Sequence, residues 1–296
     1  MAISAAQVKE LRERTGAGMM ECKKALTETE GDMEAAVEHM RKTGLAKADK
    51  KADRTAAEGR IAVAYSDDGK AGAIVELNCE TDFVARGDQF KEYAQGIAER
   101  IVRDRPADVE ALKEMAPRTG DAETIRESLK QLIAQLGENM EIRRFELFEA
   151  GDNGVLNHYL HGERIGVLVE LEGGDADLAR DVAMHVAASN PACIAEENVP
   201  QELIEKEKAI FQAQAEESGK PQDIIEKMIT GRINKFLKEV TLLGQPFVKD
   251  PDRTVAQLLE DQGARAVRFV RLEVGEGIEK EEANFAEEVM AQVQGS

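Results

Sequence analysis

Apolar residues recur along this chain with two different periods, and the places where the period changes divide it into segments. In the first 42 residues they fall three and four apart, in three short runs. Ser4 stands where a helix N-cap would, with Gln7 three positions on to complete a capping box, and Ile3 and Val8 fit a hydrophobic staple. Thr15-Gly16-Ala17-Gly18 ends that helix with two glycines free to take positive φ. A second helix is expected from near Met19 to Gly31. Asp32 caps a third, with Met33, Val37 and Met40 on its apolar face. Three helices in about 40 residues make a core that is marginal alone, a size suited to a docking module. The run from Gly44 to Gly59, rich in Ala, Lys and Asp, reads as a helical or flexible linker.

The period then shifts to two. Arg60 to Tyr65, the turn Asp67-Asp68-Gly69, and Ala73 to Cys79 predict a β-hairpin, with Ile61, Val63 and Tyr65 alternating along its first strand. Helices are expected at 88–104, 108–115 and 122–136, strands at 141–148, 155–160 and 165–172, and a helix at 175–189. Hairpin, helices, strands, helix is an order that predicts an α+β fold with largely antiparallel sheets. It repeats in outline from Glu141, which suggests two related subdomains.

From Pro200 to Leu243 the helical period returns over two long runs. Leu203/Ile210 and Ile204/Phe211 recur every seven residues on the first. Ile225, Ile229, Ile233, Phe236, Val240 and Leu243 step by three or four on the second. That seam predicts an inserted antiparallel helical hairpin. A short helix at 254–262 and a strand at 265–274 follow. The chain closes on a helix capped by Asn284, with the stripe Phe285, Val289 and Val293.

Charge narrows the function classes. With 58 acidic and 39 basic side chains the formal net charge is −19, a poor match to a phosphate backbone. The basic stretch from Lys42 to Arg54 is broken by Asp49 and Asp53 and carries no aromatic residue, so it reads as solvated surface. With no Trp and three Tyr, base-stacking platforms are scarce as well, and no direct nucleic-acid partner is expected. No run of 18 apolar residues predicts a membrane span, and the start Met1-Ala2-Ile3-Ser4 carries no basic head or apolar core of a secretory signal. Cys22, Cys79 and Cys193 lie far apart and read as reduced, buried thiols of a cytosolic protein.

Candidate chemistry is thin. Gly16-Ala17-Gly18 follows a helix and lacks a third glycine, and neither Gly69-Lys70 nor Gly219-Lys220 has the frame of a phosphate-binding loop. His158 and His161, three apart on extended chain, cannot share a face. No Ser, Cys or Thr stands in a nucleophile context, so neither a cofactor, a metal nor an enzymatic activity is expected. Two features suit contact instead. Thr81-Asp82-Phe83-Val84 sits just past a strand end, where composition favours a core Phe83 and the turn favours a projecting one. Met19-Met20 opens a helix after a glycine loop, with one of the pair expected in the core and the other exposed as a soft contact.

Six blocks, in order along the chain, resemble the bacterial elongation factor Ts family: Val8 to Leu26, Asn78 to Val84, His161 to Val169, Met184 to Ala188, Gly244 to Phe247 and Glu273 to Lys280. The helical hairpin and the tail match the longer, proteobacterial form. The resemblance implies a cytoplasmic nucleotide exchange factor that binds elongation factor Tu and speeds GDP release. It implies that Asp82 and Phe83, within Thr81 to Val84, wedge into the partner's nucleotide domain and disturb its Mg²⁺ site. Arg12, Met19 and Met20 would form an N-terminal docking surface, His161 would lean on another partner domain, and Phe285 would touch the nucleotide domain. It further implies a ubiquitin-associated-like module at 1–55, core subdomains at 56–148 and at 149–192 with 244–277, a dimerisation-type hairpin at 193–243 and a C-terminal helical module at 278–296. Two rivals remain open: a docking adaptor without exchange activity, and an enzyme with an unrecognised site.

Overall fold

Ser4 caps the first helix as its position suggests. Its Oγ accepts from the Gln7 N–H at 3.3 Å, and Gln7 Oε1 accepts from the Ser4 N–H at 3.0 Å. In this computed structural model, which describes residues 3–117, 123–216 and 221–279, that cap starts α1 (Ala5–Thr15), and Gly16 ends it at φ +67°. α2 (Met19–Glu28) and α3 (Met33–Asp49) complete a small bundle around Val8, Leu11, Ala17, Cys22, Ala25, Leu26 and Ala36. α3 runs seven residues past the expected end near 42, through Gly44, where an added Cβ would come within 3.2 Å of the Ala134 side chain. The first part of the expected linker is therefore helix, and it is held against a later helix by Lys130, whose Nζ lies 2.6 Å from Asp49.

By internal contact the described residues form two units. The first comprises 3–60, 75–117, 123–145 and 274–279, and the second comprises 61–74, 146–216 and 221–273. β1 (Glu58–Tyr65), β2 (Ala71–Cys79) and β3 (Met140–Glu149) make a three-stranded sheet in that order. β2, the middle strand, is buried at all nine positions, so it does not alternate. On β1 the buried positions are Gly59, Ile61, Ala62 and Ala64, while Val63 and Tyr65 are half-buried. After β2 come α4 (Asp82–Ala85), α5 (Asp88–Asp104), α6 (Val109–Lys113) and α7 (Ile125–Leu136). α5 buries Phe90, Ala94, Ile97, Ala98 and Ile101, and α7 buries Ile125, Leu129, Leu132 and Ile133, both at helical spacing. The Tyr93 hydroxyl ties the two together, donating to the Ile125 carbonyl at 3.1 Å.

In the second unit β4 (Gly154–His161) and β5 (Ile165–Glu172) pair antiparallel, with Gly154 opposite Glu172 and His161 opposite Ile165. α8 (Ala176–Ser189) covers the face of β5 that carries Val167, Val169 and Leu171. α9 (Gln201–Glu216) and α10 (Gln222–Val240) form the expected helical hairpin. Its root is closed by backbone bonds from Ala192 to Val240, Leu242 to Cys193 and Leu243 to Ile194. The seam is the expected one on α10 at Ile225, Ile229 and Ile233 and departs from it on α9. Ala215, Ile225 and Ile229 are buried with Ile233 against them, while Ile210 is exposed and Phe211 lies half-buried with the Arg232 guanidinium 5.4 Å from its ring centre. Leu243 belongs to the α8 core instead, because the helix ends at Val240 and Leu242 turns inward beside it. A two-stranded ribbon that the periodicity did not predict, β6 (Pro246–Phe247) with β7 (Asp250–Thr254), precedes α11 (Val255–Asp261) and β8 (Arg265–Glu273). β8 pairs antiparallel with β5, with a bulge between Glu170 and Leu171.

Candidate protein-docking site

β2 ends at Cys79, and the chain turns off the sheet before α5 through a helix of a single turn. Thr81 caps that turn, its Oγ accepting from the Val84 N–H at 3.4 Å. One turn has one face to bury. Ala85 takes it with Val84 half-buried, so Asp82 and Phe83 are left outside, and 88% of Phe83 is exposed to solvent. The core position that composition favoured for Phe83 is thereby overturned: its neighbours occupy the buried side. Arg86 reaches back one turn to Asp82 at 2.8 Å.

The turn is held from outside itself. Glu138, just past the Gly137 cap of α7, accepts twice from Thr81: Oε2 from the backbone N–H at 2.9 Å and Oε1 from the hydroxyl at 2.6 Å. The loops cross-brace, because Glu80 Oε1 accepts from the Asn139 N–H at 2.6 Å. The Asn139 carboxamide in turn donates to the carbonyls of Ala52 at 3.3 Å and Arg54 at 2.7 Å, and the Lys51 ammonium donates to the Gly137 carbonyl. Cys79 lies beneath, donating to the Thr81 carbonyl at 3.1 Å. Burial first, and the Glu138 carboxylate second, push its thiol up to about 12, so it stays protonated and is a poor nucleophile at neutral pH.

On the three-helix bundle, Met19 and Met20 are both exposed, at 57% and 77%. The expectation that one of them faces the core is not met. Cys22, whose thiol lies 3.8 Å from the Ala17 carbonyl, closes the small core at that end, and the first turn of α2 lies beyond it. Arg12 is exposed on α1. A cleft of about 460 Å³ in the same unit runs between α2, α3 and α7, floored by Val37, Met40 and Ala134, with His39 paired to Glu28 at 2.8 Å on its rim.

In the second unit His161 ends β4 exposed, its Nδ1 3.5 Å from the Tyr159 hydroxyl. His158, half-buried, instead meets the Tyr65 hydroxyl at 3.0 Å, and burial with help from Arg180 lowers its pKa. The two imidazoles thus have separate partners. Phe285 and the helix expected around it lie outside the described residues. Of the three cysteines Cys22 and Cys79 are buried, and Cys193 is half-buried where full burial was expected, because it sits at the hairpin root. Among the described residues no three His, Cys, Asp or Glu side chains cluster to hold a metal ion, and no helix is long and apolar enough to cross a membrane. The braces Glu138 and Asn139 were not legible beforehand, since an acid and an amide after a helix-ending glycine look like any polar loop.

A family model described as Elongation factor TS matches residues 80–276. Across all 296 residues, and the whole of each relative, the chain is 62% identical to a protein named Elongation factor Ts from Thioalkalivibrio sulfidiphilus and 63% identical to one of the same name from Methylococcus capsulatus. A third, from Legionella pneumophila, is 55% identical over 291 residues, which is 98% of both chains.

Proposed function

This chain belongs to the elongation factor Ts family of translation elongation factors, and we propose that it is the guanine nucleotide exchange factor for elongation factor Tu. The observation that carries this reading is Phe83, a large aromatic held 88% exposed at the tip of a braced turn. An apolar ring held in water is available for burial in a partner, where aromatic anchors supply the strongest contacts.

In the complex Phe83 inserts between helices of the partner's nucleotide domain, with Asp82 beside it and Thr81 and Val84 setting the turn. Mg²⁺ in such domains bridges the nucleotide phosphates to a Ser or Thr hydroxyl, so displacing it strips charge compensation from bound GDP. The coupling is reciprocal: the factor by which this chain weakens GDP binding is the factor by which GDP weakens binding of this chain. A ten-thousandfold faster release needs a barrier lower by about 5.5 kcal/mol. One hot-spot wedge supplies about 2–4 kcal/mol. The remainder falls to dispersed contacts: Arg12, Met19 and Met20 of the docking module at 1–55, His161 of the subdomain at 149–192 with 244–277, and Phe285 of the module at 278–296. The subdomain at 56–148 presents the wedge. The hairpin at 193–243, with Ile210 and Ile224 each 41% exposed, suits pairing with a second copy. The work is done in the cytoplasm by contact alone, with no covalent step, no cofactor of its own and no direct contact with nucleic acid.

Stopped-flow release of a fluorescent GDP from elongation factor Tu tests this reading. The chain accelerates release strongly, and Phe83→Ala removes much of the effect. Binding without acceleration would leave a docking adaptor and end the exchange assignment.

A further inference from the structure

We propose that Glu138 is the positioning residue for Phe83, setting the wedge from a loop that need not touch the partner; this rests on the reading of Phe83 given above. A one-turn helix cannot hold its own geometry, since nucleating a turn costs more than its few hydrogen bonds return. The internal cap of α4 is long, at 3.4 Å. The two bonds from Thr81 to the Glu138 carboxylate, at 2.9 and 2.6 Å, are short and charge-assisted, and they lie two residues before the ring they orient. Glu138 is itself fixed on both sides. Gly137 before it takes φ +84° at the end of α7, and Asn139 after it is bonded through its N–H to Glu80 and through its carboxamide to Ala52 and Arg54. Glu138 therefore carries the rigidity of α7 to the tip, and the strap that follows α3 is fastened to the same dipeptide. A ring free to swing would still find the partner but would seldom point at the Mg²⁺ site, so the cost falls on the rate within the complex more than on affinity.

The experiment uses the full chain as wild type, Glu138→Ala and Glu138→Gln, each with and without Phe83→Ala. GDP release from elongation factor Tu is followed over a range of chain concentration, which separates the maximum rate from the half-saturating concentration. Glu138→Ala lowers the maximum rate about tenfold, the scale of one lost charge-assisted bond pair, and moves the half-saturating concentration by less than about threefold. Glu138→Gln, which keeps one accepting oxygen, falls between. In the Phe83→Ala background Glu138→Ala costs nothing more, because there is no ring left to aim. An unchanged maximum rate in Glu138→Ala while Phe83→Ala is impaired would overturn the positioning role and leave the wedge standing. So would equal losses in both backgrounds, or a change confined to half-saturation. A wild-type rate in Phe83→Ala would instead remove the wedge and the positioning role with it. If Glu138→Ala does not stay folded, Glu138→Gln decides by the same comparisons.

Discussion

The buried imidazole of His185 donates from Nε2 to Oε1 of Gln245 at 2.9 Å, while its Nδ1 accepts from the Val248 N–H at 3.2 Å. A backbone N–H can only donate, which fixes the neutral tautomer. The Gln245 carboxamide passes the chain on, donating to the Glu239 carbonyl at 2.7 Å near the end of α10. Both ring nitrogens are satisfied in the neutral state, and a second proton on Nδ1 would face the Val248 N–H. Burial lowers the pKa of His185, against the opposing pull of Gln245.

Stability should therefore fall as pH drops. The native state keeps His185 and His158 neutral below the ordinary histidine value of 6.5, where the unfolded chain has begun to take up protons. Their contribution is full above that value and is lost as pH falls toward the lowered folded values. Urea midpoints of the wild type should decline between about pH 7 and pH 5, and His185→Gln should flatten that decline. Parallel pH profiles for the two proteins would refute the assignment.

Glu76 makes a second buried network. Its Oε1 accepts from Arg143 at 3.0 Å and from the Gly275 N–H at 2.8 Å, and its Oε2 accepts from Arg144 at 2.6 Å. Burial opposes its ionisation, but the Gly275 N–H and the guanidiniums of Arg144 and Arg143 outweigh it and hold the carboxyl below the usual 4.5. Glu76→Gln should cost about 3 kcal/mol in chemical denaturation, since Arg143 loses its carboxylate partner and Arg144 is left with Glu276, at 3.2 Å. The wild-type advantage over the variant is present above pH 4.5 and shrinks as pH falls through the lowered folded value. An unaltered midpoint at neutral pH would mean that the network contributes no net stability.

Phe83→Ala should fold as well as the wild type, within about 0.5 kcal/mol, because truncating an exposed ring opens no cavity. Thermal unfolding checks this separately from exchange. A loss of several degrees would mean that the ring packs on the protein after all.

The three-helix module makes opposite predictions for its inner and outer faces. Leu26→Ala should cost about 2–5 kcal/mol, which is most of what so small a core can supply, and should expose the module to proteolysis. Met19→Ser with Met20→Ser should leave protease resistance intact and weaken binding of elongation factor Tu several-fold by titration calorimetry. Equal affinity would remove the methionine pair from the docking surface.

Much of the fold was legible because its signals are local. Ser4 with Gln7, Asp32, and the Asp-Gly turn at 68–69 act within a few residues, and a cap or turn forms the same way in any surroundings. The long helices of the hairpin followed from spacing alone. The end of α3 and the ribbon of β6 with β7 did not. Gly44 is tolerated in a helix because α7 packs across it, and a two-residue strand has no period to read.

By itself the sequence determined the types of the longer elements, the acidic surface and the family, since each of these is written in residue identity and order. Which side chains face water was decided only by the tertiary structure. Phe83 projects because Ala85 and Val84 occupy the one face a single turn can bury, and Met19 and Met20 overhang a core already closed at Cys22. Every position of β2 is buried, so both faces of this middle strand are covered as well as both edges. Glu138 meets Thr81 across 57 residues of chain. Exposure and long-range pairing depend on what other segments leave uncovered, a property of the assembled chain that no local pattern carries.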